Sequence, residues 1–120
     1  MDKAQALNTF WNSFGLLAYD ENTVPDDATL PYITYESQSD SFGNSLSLRA
    51  NLWYRSNSWE DITLKEQQIA RDISRGGKMI PYDGGAIWIQ KSRPWAQRLS
   101  DPNDDTIRRI ILNINIEYID

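Results

Sequence analysis

The chain predicts a small α+β domain, an antiparallel or mixed β-sheet with two helices packed on one face, and three patterns carry that expectation. Leu7, Phe10, Trp11 and Phe14 recur at the spacing of one helical face. Leu46, Leu48, Ala50, Leu52 and Tyr54 alternate with Ser45, Ser47, Arg49, Asn51 and Arg55, and Ile110, Leu112, Ile114, Ile116 and Tyr118 alternate with Asn113, Asn115 and Glu117, the period of half-buried strands. Helical and β-prone segments follow one another as helix, strand, strand, helix, strand, strand, strand, an order that suits α+β packing. A chain of 120 residues with 40% hydrophobic and 12% aromatic side chains holds one core, so a single domain over residues 1–120 is expected. Five Trp and six Tyr enlarge that core, because each ring removes a large apolar area from water.

The first helix is expected over residues 2–14, with Gly15 as its stop. Residues 20–30 form an acidic connector containing Pro25, read as an ordered surface loop. Residues 31–36 are β-prone and lead into a polar turn, 37–44, with Gly43 inside it. After the alternating strand, Ser58 has the form of an N-cap, with Glu60 and Asp61 where the helix dipole favours negative charge. Ile62, Ile69 and Ile73 mark the buried stripe of this second helix, Ala70 lies beside it, and Gly76-Gly77 is its expected stop. Residues 79–82, 86–91 and 106–119 are the remaining strands, with the turn Asp83-Gly84-Gly85 between the first two. Residues 91–105 read as a long loop around Pro94-Trp95, mixing Lys91, Arg93 and Arg98 with Asp101, Asp104 and Asp105. Long ordered loops on a rigid sheet carry contacts with something else.

The inventory of side chains excludes much chemistry. With no cysteine and no histidine, disulfides, Cys/His zinc sites, thiolate nucleophiles and Ser-His-Asp catalysis are ruled out, and an enzyme is the least expected class. No signal peptide pattern opens the chain and no run approaches a membrane span. A formal charge of -5 opposes general affinity for phosphate backbones. Glu60 and Asp61 are adjacent on a helix and do not face one another, so the dipole explains them better than acid/base catalysis does. Asp101, Asp104 and Asp105 lack the spacing of a calcium loop and read as a solvated turn. Gly84-Gly85 lacks the Lys and the following helix of a phosphate loop. Trp53 with Arg55, and Trp95 with Arg93 and Arg98, are ring-plus-guanidinium pairs of the kind that stack single-stranded bases, a role the net charge opposes. Core packing is expected of Trp11 and Trp88, whereas for Trp95, beside Pro94 and flanking charges, an aromatic interface anchor competes with packing in its own core.

Several stretches together carry a resemblance. They are residues 4–15 with Phe10-Trp11 and Phe14-Gly15, residues 18–25 ending at Pro25, and residues 30–35 around Pro31-Tyr32. Further on come Leu52-Trp53-Tyr54-Arg55 with Ser58-Trp59, Gly84-Gly85-Ala86-Ile87-Trp88-Ile89, and Pro94-Trp95-Ala96-Gln97-Arg98 leading to Arg108-Arg109. This pattern resembles the tail terminator proteins, also described as minor capsid or tail completion proteins, of long-tailed double-stranded DNA bacteriophages. The resemblance covers most of the chain and rests on pattern, since no catalytic motif defines that family. It implies a structural virion protein of the neck, without cofactor or metal, made in the bacterial cytoplasm and placed at the tail–neck junction. It implies a homohexameric ring that caps the tail tube, ends tail polymerisation and meets the head-side connector or stopper protein. Double-stranded DNA would pass through the lumen without specific binding, and no membrane is involved. A ring needs a heterologous interface. Candidate interface residues are Arg93, Trp95, Arg98, Arg108 and Arg109, with Asp101, Asp104, Asp105 or the acidic residues of 20–27 as opposing charges that set register. The alternatives are a head-completion or stopper protein of the same neck, and a nucleic-acid or carbohydrate-binding module using Trp53 and Trp95.

Overall fold

Asp2 caps the first helix, α1 (Lys3–Trp11): its carboxylate accepts the Gln5 N–H at 2.8 Å while the Gln5 side chain accepts the Asp2 N–H at 2.9 Å. This computed structural model describes residues 1–39 and 44–120. A 3₁₀ turn, Asn12–Phe14, tightens the helix end, and Gly15 turns the chain out at φ 84, where a side chain would be strained. Ala6, Leu7, Phe10, Trp11 and Phe14 are all buried, as the periodicity requires.

Six strands follow: β1 (Ala18–Asp20), β2 (Tyr32–Tyr35), β3 (Ser45–Arg55), β4 (Lys78–Tyr82), β5 (Gly85–Ser100) and β6 (Ile107–Ile119), with α2 (Glu60–Ile73) between β3 and β4. They form one sheet in the order β1-β2-β3-β6-β5-β4. Among the described residues only β1 and β2 run parallel, so the sheet is mixed and the domain is α+β. The register pairs Leu48 with Ile114, Ala50 with Leu112, Leu52 with Ile110, Ile89 with Ile116 and Ile87 with Tyr118. These residues join the buried side chains of α1 and α2 in one continuous core.

Four expectations are corrected. The 91–105 loop is mostly strand: β5 continues to Ser100, and only residues 101–106 connect it to β6. A bulge explains why the strand was hidden, since residues 92–95 stand opposite the single residue Asn113 and the inward alternation restarts at Ala96. Pro94, which has no N–H to give a ladder, sits inside that irregularity. The second helix is not capped by Ser58; Trp59 holds the cap position without a side-chain bond, and the Ser58 hydroxyl accepts the Glu60 N–H at 3.0 Å. Its end comes at Ile73, where Ser74 takes φ 64, before Gly76-Gly77 is reached. Trp88 is only half-buried and lies outside the core, its indole N–H reaching the Gly76 carbonyl at 3.2 Å. β1 was not anticipated, because three residues are too few to show a period. Half of the expected turn at 37–44, residues 40–43 with Gly43, lies outside the described residues.

Candidate functional site

The β5–β6 hairpin positions most of the candidate residues, and its turn is tied down by its own acids. Asp101 accepts the Asn103 N–H at 2.8 Å. Asp104 accepts the Thr106 hydroxyl at 2.6 Å, the Thr106 N–H at 2.9 Å and the Arg55 guanidinium at 2.9 Å. These bonds, those from Thr106 foremost, hold the Asp104 carboxyl well below the usual carboxylate range, at about 2. Two of the three acids therefore fasten the turn, and only Asp105 has an exposed side chain with no such bond; its carbonyl oxygen accepts from Arg108. Among the described residues no group of three or more acidic side chains could hold a metal ion, and no helix is long and apolar enough to cross a membrane.

Arg98 and Arg108 converge. Register places Arg98 opposite Ile110 and Ser100 opposite Arg108, so both arginines project from the same side of the hairpin as the core residues Ile110 and Leu112. There they meet Trp59, at the start of α2, with guanidinium carbons 4.9 Å and 5.3 Å from its ring centroid. Arg98 also donates to the Thr63 hydroxyl at 3.1 Å. The Arg108 Nε is buried without an acceptor among the described residues.

Arg109 lies on the opposite side of β6. Its guanidinium stacks 4.7 Å from the Trp53 ring and donates to the Asn51 side chain at 2.9 Å, while the Trp53 indole N–H donates to the Thr34 hydroxyl at 2.9 Å. Burial, reinforced by nearby Arg49, lowers the Arg109 pKa from its ordinary value, and the group remains a cation at neutral pH. Thr34 and Asn51 are consequently buried polar residues with their bonds made. Beside them a groove of about 600 Å³ opens between Leu30, Tyr32, Trp53, Arg55, Asp101 and Ile107.

Arg93 and Trp95 sit in the bulge. Arg93 is exposed beside a groove shared with Arg49, Gln97 and Asn113, and the Asn113 amide pins the bulge by donating to the Pro94 carbonyl at 2.9 Å. Trp95 is not a loop-tip aromatic, because it is half-buried against the core and its indole N–H is enclosed without an acceptor among the described residues. The eight candidates thus divide among a turn, a bulge and two sides of one hairpin. Sequence reasoning missed Trp59, Thr63, Asn51 and Arg49. Only Trp59 carried a signal, an aromatic at a helix start, and its arginine partners lie about forty and fifty residues away in the chain.

Compared with known proteins, the chain matches no family model, and neither a curated protein nor a solved structure matches it significantly.

Proposed function

We propose that this chain is a structural subunit of a phage neck that forms a ring on the end of the tail tube, stops tube growth and joins the tail to the head-side connector. In this reading both helices cover one face of the sheet and the opposite, largely polar row is left to face other molecules. The carrying observation is the length of β5. β4 pairs only with residues 85–89, so residues 90–100 have no strand on that side among the described residues. A long edge with exposed Arg93, Arg98 and Leu99 is what a subunit built to meet neighbours presents, and the Pro94 bulge keeps it from pairing indiscriminately. The grooves are open, and among the described residues no two carboxylates line any one of these three as acid/base chemistry requires.

Sedimentation and negative-stain imaging of the purified protein, alone and with purified tail tubes, test the reading. Rings in solution or on tube ends are expected. A chain that stays monomeric at high concentration and ignores tail tubes overturns it, and capture by the portal-side protein with no capture by tubes moves the subunit to the stopper position.

A further inference from the structure

In an antiparallel ladder alternate residues turn their main-chain groups to opposite neighbours, so the register decides which residues of β5 still lack a partner. The Ser56 N–H donates to the Thr106 carbonyl at 2.7 Å, one step beyond the Arg55–Ile107 pair, which makes Ser56 and Thr106 a hydrogen-bonded pair of the β3–β6 ladder. Counting by twos, Arg108, Ile110 and Leu112 bond toward β3, and Arg109 and Ile111 bond toward β5. Gln97 and Leu99, opposite Ile111 and Arg109, therefore complete the β5–β6 ladder. Ala96, Arg98 and Ser100 aim their N–H and C=O groups the other way, out of the sheet, where β4 does not reach.

The outer strands β1 and β4 are closed by other means. At β1 the Asn12 side chain stands in for a strand, accepting the Ala18 N–H at 2.9 Å and donating to the Ala18 carbonyl at 3.2 Å, while the Thr23 N–H reaches the Asp20 carbonyl at 2.9 Å. On β4 the same alternation turns Pro81 outward, with no N–H to offer, and the Asp83 N–H beyond it is held by the Met1 carbonyl at 2.8 Å. Met79 alone keeps an outward donor and acceptor there, too little to seat a strand. Only on β5, among the described residues, do three outward positions follow in a row. Alongside them Thr63 and Glu66 of α2 border a cleft of about 210 Å³ with Ala96, Gln97, Arg98 and Ile110.

The geometry points to strand addition, in which an extended segment of a different protein pairs with Ala96, Arg98 and Ser100 and continues the sheet beyond β5, one of its faces over the α2 cleft. A second copy of this chain fits the row badly. Its β1 and β4 edges are closed, and antiparallel β5–β5 pairing through all three positions sets Arg98 opposite Arg98, a like-charge pair that destabilises a ladder. Alternation fixes the pattern of the incoming segment. An acid belongs beside Arg98, which makes no ion pair among the described residues, and an apolar residue belongs beside Leu99, 41% exposed on the other side of the strand. The bulge at residues 92–95 and Pro102 bound the row, so the segment is short, about five residues. The inference rests on the neck reading, under which the tail-tube subunit supplies the segment.

Proline substitution tells the two sides of β5 apart. Ser100→Pro removes an outward N–H and leaves the bonds to β6, so wild-type circular dichroism and a cooperative melt are expected, whereas Leu99→Pro breaks the ladder and should melt lower. Hydrogen exchange of peptides spanning residues 96–100 reads the same row in wild type, without any substitution. Exchange is expected to be fast in the free protein and to slow at least tenfold for the outward amides on purified tail tubes, and Ser100→Pro is expected to bind tubes at least tenfold more weakly. Tubes that bind wild type and Ser100→Pro alike while these amides still exchange fast overturn strand addition and leave the neck reading standing. Slowing in the protein alone that grows with its concentration overturns the foreign segment and puts a second copy in the row. Slowing with the head-side connector protein and none with tubes overturns the tail-tube subunit as its source. If wild type neither forms rings nor binds tubes or connector, both readings fall.

Discussion

Asp104, expected from the sequence as an interface charge, is bonded within the fold. Its carboxyl is depressed to about 2 because Thr106, and then Arg55, bond to the charged form. A folded-state pKa below the unfolded value means the contribution is fully present above the ordinary carboxylate range and is lost as pH falls toward about 2. Asp104→Asn is therefore expected to lower the melting temperature at pH 7, with the gap to wild type closing between about pH 4 and pH 2. A gap that persists unchanged at pH 2 would show that the carboxylate's charge is not what matters. Arg109 is the counterpart on the other side of β6, where Arg109→Ala removes both the Trp53 stack and the hydrogen bond to the buried Asn51 side chain. About 1–3 kcal/mol of stability should be lost, read from denaturant midpoints, since a buried polar group is left unpaired.

At the scale of elements, regular periods could be read and interruptions could not. The α1 stripe, the β3 alternation and the β6 alternation were legible because each repeats several times in uninterrupted sequence. β5 was read as a strand followed by a loop, because four residues opposite Asn113 shift the alternation and Pro94 stands among them. The meeting of Arg98 and Arg108 on Trp59 was illegible for a related reason, since it depends on the register that the bulge resets and on where α2 starts. The turn from α2 into β4 offers a sharper test of local geometry than either helix. Gly77 has φ 91, and a Cβ there would lie 2.5 Å from the Trp88 Nε1 and 2.7 Å from the Ile89 carbonyl oxygen. Gly77→Ala then adds backbone strain to a close approach by main chain, and a loss of at least about 2 kcal/mol is expected from chemical denaturation. Gly76, with nothing within 4 Å of such a Cβ, is the internal control and should tolerate alanine.

The whole molecule carries a net charge of -5. Copies carrying that net charge repel one another at long range, so assembly has to come from short-range pairing of local patches. Salt therefore acts in two directions, screening the general repulsion while weakening any attraction between oppositely charged patches of neighbouring copies. The direct attraction acts at contact, so rising ionic strength should weaken assembly on balance if the pairing is as exposed as Glu21, Asp26 and Asp27 are. Melting temperature is a readout of this because anything that binds only the folded chain stabilises it by mass action. Well above the dissociation constant, each tenfold rise in protein concentration adds about 1.4 kcal/mol, or roughly 6 °C for a domain of this size. Wild type should show that slope at low salt and a shallower one at 0.5 M salt, whereas the Glu21→Lys, Asp26→Lys, Asp27→Lys chain should melt at one temperature across the same concentrations. Because only the slope is compared, any effect of the substitutions on the isolated subunit drops out. Equal slopes for the two chains would mean that the acidic connector takes no part in holding copies together.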